Sequence, residues 1–278
     1  MMTLDLRCKY SAVHRVAITG ATGYAGSHLL SLYGEESFAP ADFDDLPPGS
    51  LVVHLAANVS NSREALMENI AIDTHVFEQV NAQHRGLIYA STNNVYSFGL
   101  DCRVGDKLRY NDYYSAAKIF AEGLLEDRLA VPFVALRISD VFGVGQRHGN
   151  FFKAIEGAVR KRADLARYGA GLKRRTHIHV QELAGFIHWL TGTFDSVPTR
   201  TMLNIGYADS ASVCEIVEYA AELTGLHIVE KLVENDRSSF DVRTMQTSFM
   251  AGYQPRWNSF REAFSSYIEA INSAVEHD

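Results

Sequence analysis

Cysteine is scarce in this chain: Cys8, Cys102 and Cys214 are its three copies, odd in number and far apart among 278 residues. That pattern argues against a disulfide framework or a thiolate metal site, and it favours a reducing compartment. Long apolar runs are missing too. No stretch approaches the length of a membrane span, and the first fifteen residues, interrupted by Asp5, Arg7, Lys9 and Arg15, lack the apolar core of a secretory signal. The expected setting is the cytoplasm, with no membrane partner. Positive charge is in deficit, with 26 Lys and Arg against 33 Asp and Glu and a formal net charge of -7. This disfavours attraction to nucleic-acid backbones or anionic lipid, so any anionic ligand must be held by a local set of donors.

What is present reads as an ordinary globular chain, 47% hydrophobic and 21% charged, long enough to bury one large core with a second lobe attached. Apolar, β-rich runs fall at Arg15–Thr19, Leu51–Ala57, Gly86–Ser91 and Pro132–Arg137. Helical patterns fall between them, at about Ala25–Tyr33, Arg63–Gln83 and Tyr113–Leu129. Strands that alternate with helices and read as continuous apolar runs predict a Rossmann-type, doubly wound parallel sheet of the α/β class. After Arg137 the rhythm changes to Gly-rich and basic stretches, then a strand at His177–Val180 and helices at about Glu182–Thr191, Ala211–Thr224 and Ser259–Glu276. The expected division is a dinucleotide-binding part, 1–140 and 180–205, with a smaller C-terminal substrate lobe, 141–179 and 206–278.

Gly20, Gly23 and Gly26 lie where the first strand turns into a helix. Glycine there permits positive φ and close backbone approach, and the N–H groups of a helix start favour an anion such as a pyrophosphate. The plain alternative is an ordinary tight turn. Tyr114-Ser-Ala-Ala-Lys118 places a phenol and an ammonium four apart on one helix face. A nearby ammonium is expected to lower the phenol's pKa toward the range of an acid–base catalyst; among thirteen tyrosines, an exposed helical pair is the competing reading. Ser91, Thr92, Asn93 and Asn94 sit at the C-terminal end of a sheet strand, where open α/β sheets bind ligands, although such a run is also good turn chemistry. His177 and His179 share a strand face without a third ligand nearby, so no metal site is expected.

The G-x-x-G-x-x-G spacing of Gly20, Gly23 and Gly26 resembles the short-chain dehydrogenase family, and His54-Leu-Ala-Ala57 is similar to its fourth-strand motif beside the nicotinamide. Ser91-Thr92-Asn93-Asn94-Val95-Tyr96 resembles its S-S/T-x-x-V-Y segment. Leu136-Arg137-Ile-Ser-Asp140-Val-Phe142-Gly143 and Gly169-Ala-Gly171-Leu-Lys-Arg-Arg175-Thr176-His-Ile-His179-Val180 resemble two segments of the extended branch, with Asp140, Phe142 and Thr176 replacing its usual Asn, Tyr and Asp. The chain thus resembles the extended short-chain dehydrogenase/reductase family, in the NAD-dependent epimerase/dehydratase branch that acts on sugar nucleotides.

That resemblance implies Thr92, Tyr114 and Lys118 as the catalytic set. It implies NAD or NADP as cofactor, held by Gly20, Gly23, Tyr24, Ala25, Gly26, Leu55, Ala56, Ala57, Tyr114 and Lys118, with Asp42 and Phe43 at the adenine. A nucleotide-sugar substrate is expected at Ser91, Thr92, Asn93, Arg175 and Arg237, where a guanidinium can clamp a diphosphate. A homodimer is implied through the helices at Arg63–Gln83 and Tyr113–Leu129, with Phe77, Phe120 and Leu124 as apolar positions. Between Gly26 and His54 the chain is shorter than the family norm, and no acidic residue for the adenosine ribose is identifiable. The lack of basic residues from Glu35 to Ser50 leans toward NAD. Asn93 and Asn94 stand where the 4,6-dehydratases carry Asp and Glu, which disfavours dehydration and leaves a sugar epimerase or 4-ketoreductase. Two alternatives remain: a non-catalytic or regulatory Rossmann-fold binding protein, and an enzyme of the same branch acting on a non-nucleotide carbonyl.

Overall fold

The computed structural model describes residues 16–33, 37–38, 43–44, 46–146, 151–247 and 249–275. In chain order its strands are β1 (Val16–Thr19), β2 (Ser37–Phe38), β3 (Leu51–His54), β4 (Gly86–Thr92), β5 (Gly99–Cys102), β6 (Phe133–Ile138), β7 (Asp140–Phe142), β8 (Leu165–Tyr168), β9 (Arg174–His179), β10 (Thr201–Ile205), β11 (Ser210–Ser212), β12 (Ile228–Lys231) and β13 (Val242–Met245). The helices are α1 (Tyr24–Leu30), α2 (Arg63–Gln79), α3 (Tyr113–Arg128), α4 (Phe151–Arg160), α5 (Val180–Thr193), α6 (Val213–Thr224) and α7 (Phe260–Val275).

Six strands form one parallel sheet in the order β10-β6-β4-β3-β1-β2, the doubly wound arrangement that the alternation predicts. Side chains point alternately to its two faces. Val16, Ile18, Leu51, Val53, Ile88, Val134 and Leu136 face one layer, where Leu29 of α1 and Phe186 and Ile187 of α5 cover them. Ala17, Val52, Leu87, Tyr89, Phe133 and Ala135 face the other, under Val76 and Phe77 of α2 and Leu125 of α3. Burial on both faces is why these strands read as continuous apolar runs rather than as alternating ones.

The helix ends follow local chemistry. Asp112 caps α3: its carboxylate accepts from Ser115 N–H at 2.6 Å while the Ser115 hydroxyl accepts from Asp112 N–H at 3.1 Å. This reciprocal box starts the helix immediately before Tyr113 and Tyr114. The α2 helix stops at Gln79, short of the expected Gln83, because Val80 takes an extended conformation and buries its side chain in the sheet's core. Val180, expected to end a strand, instead opens α5.

A second sheet, in the order β11-β9-β13-β5 with β7 also paired to β9, stands over the C-terminal edge of the first. It draws in β5, which comes from the first half of the chain. Below it, α4, α6 and α7 pack a separate aromatic core around Phe142, Phe152, Phe264 and Tyr267. The rings of His177 and His179 are part of this packing, tilted on Phe260 with centroids 4.9 Å apart and edge-on to Trp257 at 4.6 Å, respectively. Among the described residues no helix is long and apolar enough to cross a membrane.

Candidate active site

A cavity of about 710 Å³ opens at the C-terminal edge of the parallel sheet and runs beneath the second sheet. Its floor is the turn after β1. Gly20 sits at φ +71°, and a Cβ there would meet the backbone of Ala56 at 2.6 Å and of Leu55 at 2.8 Å. A Cβ on Gly26 would run into the Gly20 carbonyl at 2.1 Å, so α1 can approach the turn this closely only with glycine. Gly23 closes the turn by donating its N–H to that carbonyl at 2.9 Å. Gly20, Gly23, Tyr24, Ala25, Gly26, Leu55 and Ala57 line the cavity, while Ala56 is the backbone against which Gly20 packs. A cradle that any Cβ would fill fits the pyrophosphate part of a dinucleotide. Phe43 lies elsewhere: its ring packs edge-on to His54 and His75, at 6.4 and 6.2 Å between centroids. Asp42 lies outside the described residues.

Thr92 ends β4 and Tyr114 lies in the first turn of α3, and both line the cavity. The Thr92 hydroxyl accepts from Asn94 N–H at 3.2 Å, which holds it at the mouth of a short 3-10 turn. Ser91 also lines the cavity, yet its hydroxyl is given to Glu122 at 2.5 Å. Glu122 is the carboxylate of a buried pair with Arg137, joined through Nη2 at 2.7 Å and Nε at 3.0 Å. Arg137 in turn donates to the Tyr96 hydroxyl at 2.8 Å, and that hydroxyl donates to Asn204 at 2.7 Å.

Lys118 is placed differently from expectation. It is buried, its Nζ donates to the Tyr89 hydroxyl at 2.9 Å, and it lies 3.6 Å from a carboxylate oxygen of Asp73. The distance from Nζ to the centroid of the Tyr114 ring is 5.9 Å. The lowering expected of the Tyr114 phenol is therefore reversed: burial first, then the negative charges of Asp73 and Asp112, push it well above the ordinary value. Sequence spacing put the ammonium and the phenol on one helix face, but the ammonium is turned toward a carboxylate of another helix.

Arg175 and Lys173 also line the cavity, as does Asp140. Arg175 Nη1 donates to the Asp241 carbonyl at 2.7 Å and its Nη2 pairs with the Asp241 carboxylate, while Nε lies 4.0 Å from Asp140. Lys173 reaches Asp241 at 3.4 Å and Asn93 donates to Asp140 at 3.2 Å. Burial opposes ionisation of Asp241, but Arg175 and Lys173 hold its carboxyl below the usual carboxylate range. Arg237, expected at the substrate, is exposed and does not line this cavity. Arg243, which sequence reasoning missed, is buried instead; its Nη1 bonds the Asn94 side chain and its guanidinium lies over the Phe98 ring at 5.0 Å. An arginine inside the short run Val242–Met245 was the available signal.

The parallel sheet, the glycine turn, and Thr92 at a strand end with Tyr114 at a helix start define an α/β fold of the Rossmann type. The chain belongs to the NAD-dependent epimerase/dehydratase family, whose model matches residues 43–206. Solved structures share the architecture. MoeE5, in complex with UDP-glucose and NAD, is 26% identical with a TM-score of 0.77, covering 94% of this chain and 99% of its own. UDP-N-acetylglucosamine 4-epimerase from Methanobrevibacter ruminantium M1, in complex with UDP-N-acetylmuramic acid, is 18% identical with the same coverage and TM-score. UDP-glucuronic acid 4-epimerase from Bacillus cereus, a mutant with NAD and a fluorinated UDP-sugar, is 16% identical, again at 94% and 99% coverage and a TM-score of 0.77. These last two likenesses establish shared fold. No curated protein sequence matches the chain.

Proposed function

We propose that this protein is a cytoplasmic, NAD-dependent enzyme that moves a hydride to and from a sugar carbon of a nucleotide sugar, as an epimerase or a 4-ketoreductase. One observation carries the reading: a single cavity is lined by the glycine turn, by Thr92 and Tyr114, and by Arg175. NAD, when bound, supplies the hydride acceptor and donor. The glycine turn and Leu55 to Ala57 would hold it, with Lys118 beneath. Thr92 and Tyr114 present hydroxyls to the oxygen on the reacting carbon, and Tyr114 gives or takes the proton that accompanies the hydride. A phenol held neutral is suited to donating that proton to a ketone oxygen. Arg175 would bind the diphosphate by exchanging its bonds to Asp241 for bonds to phosphate. Asn93 and Asn94 supply no acid–base pair for water elimination. Similar structures hold UDP-sugars, two of them together with NAD, which supports a UDP-sugar substrate and NAD as cofactor.

A homodimer through α2 and α3 belongs to the same proposal. Met67, Tyr113 and Phe120 are exposed on these helices, whereas Phe77 is committed to the core and cannot serve a partner.

The test is incubation with NAD and a panel of UDP-, GDP-, CDP- and dTDP-sugars and their keto forms, with products resolved by NMR. Conversion of one sugar is expected, and Tyr114→Phe is expected to reduce turnover by about 10³-fold without altering thermal unfolding. Full activity in that variant would refute the role of Tyr114. Failure to bind either NAD or NADP in calorimetry would favour the non-catalytic reading.

A further inference from the structure

Three neighbouring strands of the parallel sheet carry polar side chains on the face toward α2 and α3. Thr19, His54 and Tyr89 are register partners across β1, β3 and β4, and Asp73 of α2 and Lys118 of α3 close the set. All five are buried. Their partners fix the proton positions. Asp73, as a carboxylate, can only accept: Oδ1 from His54 Nε2 at 2.9 Å and Oδ2 from the Tyr89 hydroxyl at 2.7 Å. His54 then carries its proton on Nε2, and its Nδ1 accepts from the Thr19 hydroxyl. The Tyr89 oxygen is left to accept from Lys118 at 2.9 Å. The set balances as one carboxylate, one ammonium and three neutral groups.

We infer that Asp73 is a positioning residue for the reaction: it is the counter-ion that keeps the buried Lys118 protonated and, through Tyr89, fixes where its ammonium sits beneath Tyr114. An ammonium taken out of water without a counter-ion gives up its proton. Among the groups facing Lys118, Asp73 is the principal source of compensation, ahead of Glu122. From β3 comes neutral His54 and from β4 neutral Tyr89; from α3 itself come the Tyr114 phenol and Glu122, one turn on, whose charge is matched by Arg137 of β6. Asp112 lies at the start of α3 and acts on Tyr114. Burial pulls the Lys118 pKa below its ordinary value, and Asp73 limits the fall. The same carboxylate raises the Tyr114 phenol. One buried acid thus favours both protonated forms, the ammonium and the phenol, and extends the pH range over which they coexist.

This inference rests on the catalytic reading above, but its test needs no substrate. In the full chain labelled with [13Cε]lysine, the Lys118 resonance is assigned by its loss in Lys118→Met and followed with pH. In Asp73→Asn the Lys118 midpoint is expected to fall by about one pH unit or more. Tyr89→Phe, which removes the intervening hydroxyl but keeps the carboxylate, is expected to lower it by less. An unchanged midpoint in Asp73→Asn overturns the inference. Should that variant not fold, an unchanged midpoint in Tyr89→Phe does so. A lowered midpoint in a protein that converts no nucleotide sugar would uphold the counter-ion and refute the proposed reaction separately.

Discussion

Helix α3 carries two buried ion pairs one turn apart, and they are built to different standards. Glu122 and Arg137 meet through two prongs, at 2.7 and 3.0 Å, and Nη1 of the guanidinium donates to two further oxygens, on Tyr96 and on the Val104 carbonyl. Asp73 and Lys118 meet at 3.6 Å, with Tyr89 between them. The first pair ties β6, α3 and the turn after β4 into one unit, and Ser91 completes it. The second stands under Tyr114 and holds its cation through the Tyr89 hydroxyl. Equal burial therefore does not mean equal role: the tight pair fixes the frame, while the bridged one sets the charge beneath Tyr114.

That contrast can be broken by experiment. Glu122→Gln keeps the shape but strands a buried guanidinium, so it is expected to cost about 3 kcal/mol in urea unfolding; a loss below about 1 kcal/mol would remove the distinction. Lys118→Met is expected to reverse the balance. Turnover should fall by about 10²-fold, while stability drops by about 2 kcal/mol, less than for Glu122→Gln, because the stranded Asp73 carboxylate keeps His54 and Tyr89 as donors. A large loss of stability with turnover retained would make Lys118 structural. Arg175→Ala should show the smallest effect, a rise of about tenfold in KM with kcat nearly unchanged. An unchanged KM would favour a substrate that carries no diphosphate.

The strands of the parallel sheet were legible because burial on both faces favours runs of apolar residues, as in Leu51–Val53 and Phe133–Leu136. The small strands were not. Gly99–Cys102 and Ile228–Lys231 are half exposed and carry mixed side chains, so neither periodicity nor hydropathy marks them. Helix α4 was overlooked although Phe152, Ile155 and Val159 repeat at three and four. In the site, glycine turn, Thr92, Tyr114 and Arg175 come together around one cavity as spacing and resemblance implied. What spacing could not reveal was the partner of each charge. Asp73 reads as an acid on an amphipathic helix, and Asp241 lies 66 residues from Arg175; both acquire meaning from packing between elements.

The obstacle to any side chain at Gly20 is main chain, the amide of Ala56 and the carbonyl carbon of Leu55, rather than another side chain. Shrinking a neighbour can therefore offer no relief, since Ala56 has nothing further to give up. Through descent, this position can tolerate change only if the whole junction between the first and third strands is rebuilt, so it should resist suppressor selection where glycines facing open space, such as Gly105, Gly123 and Gly157, would yield.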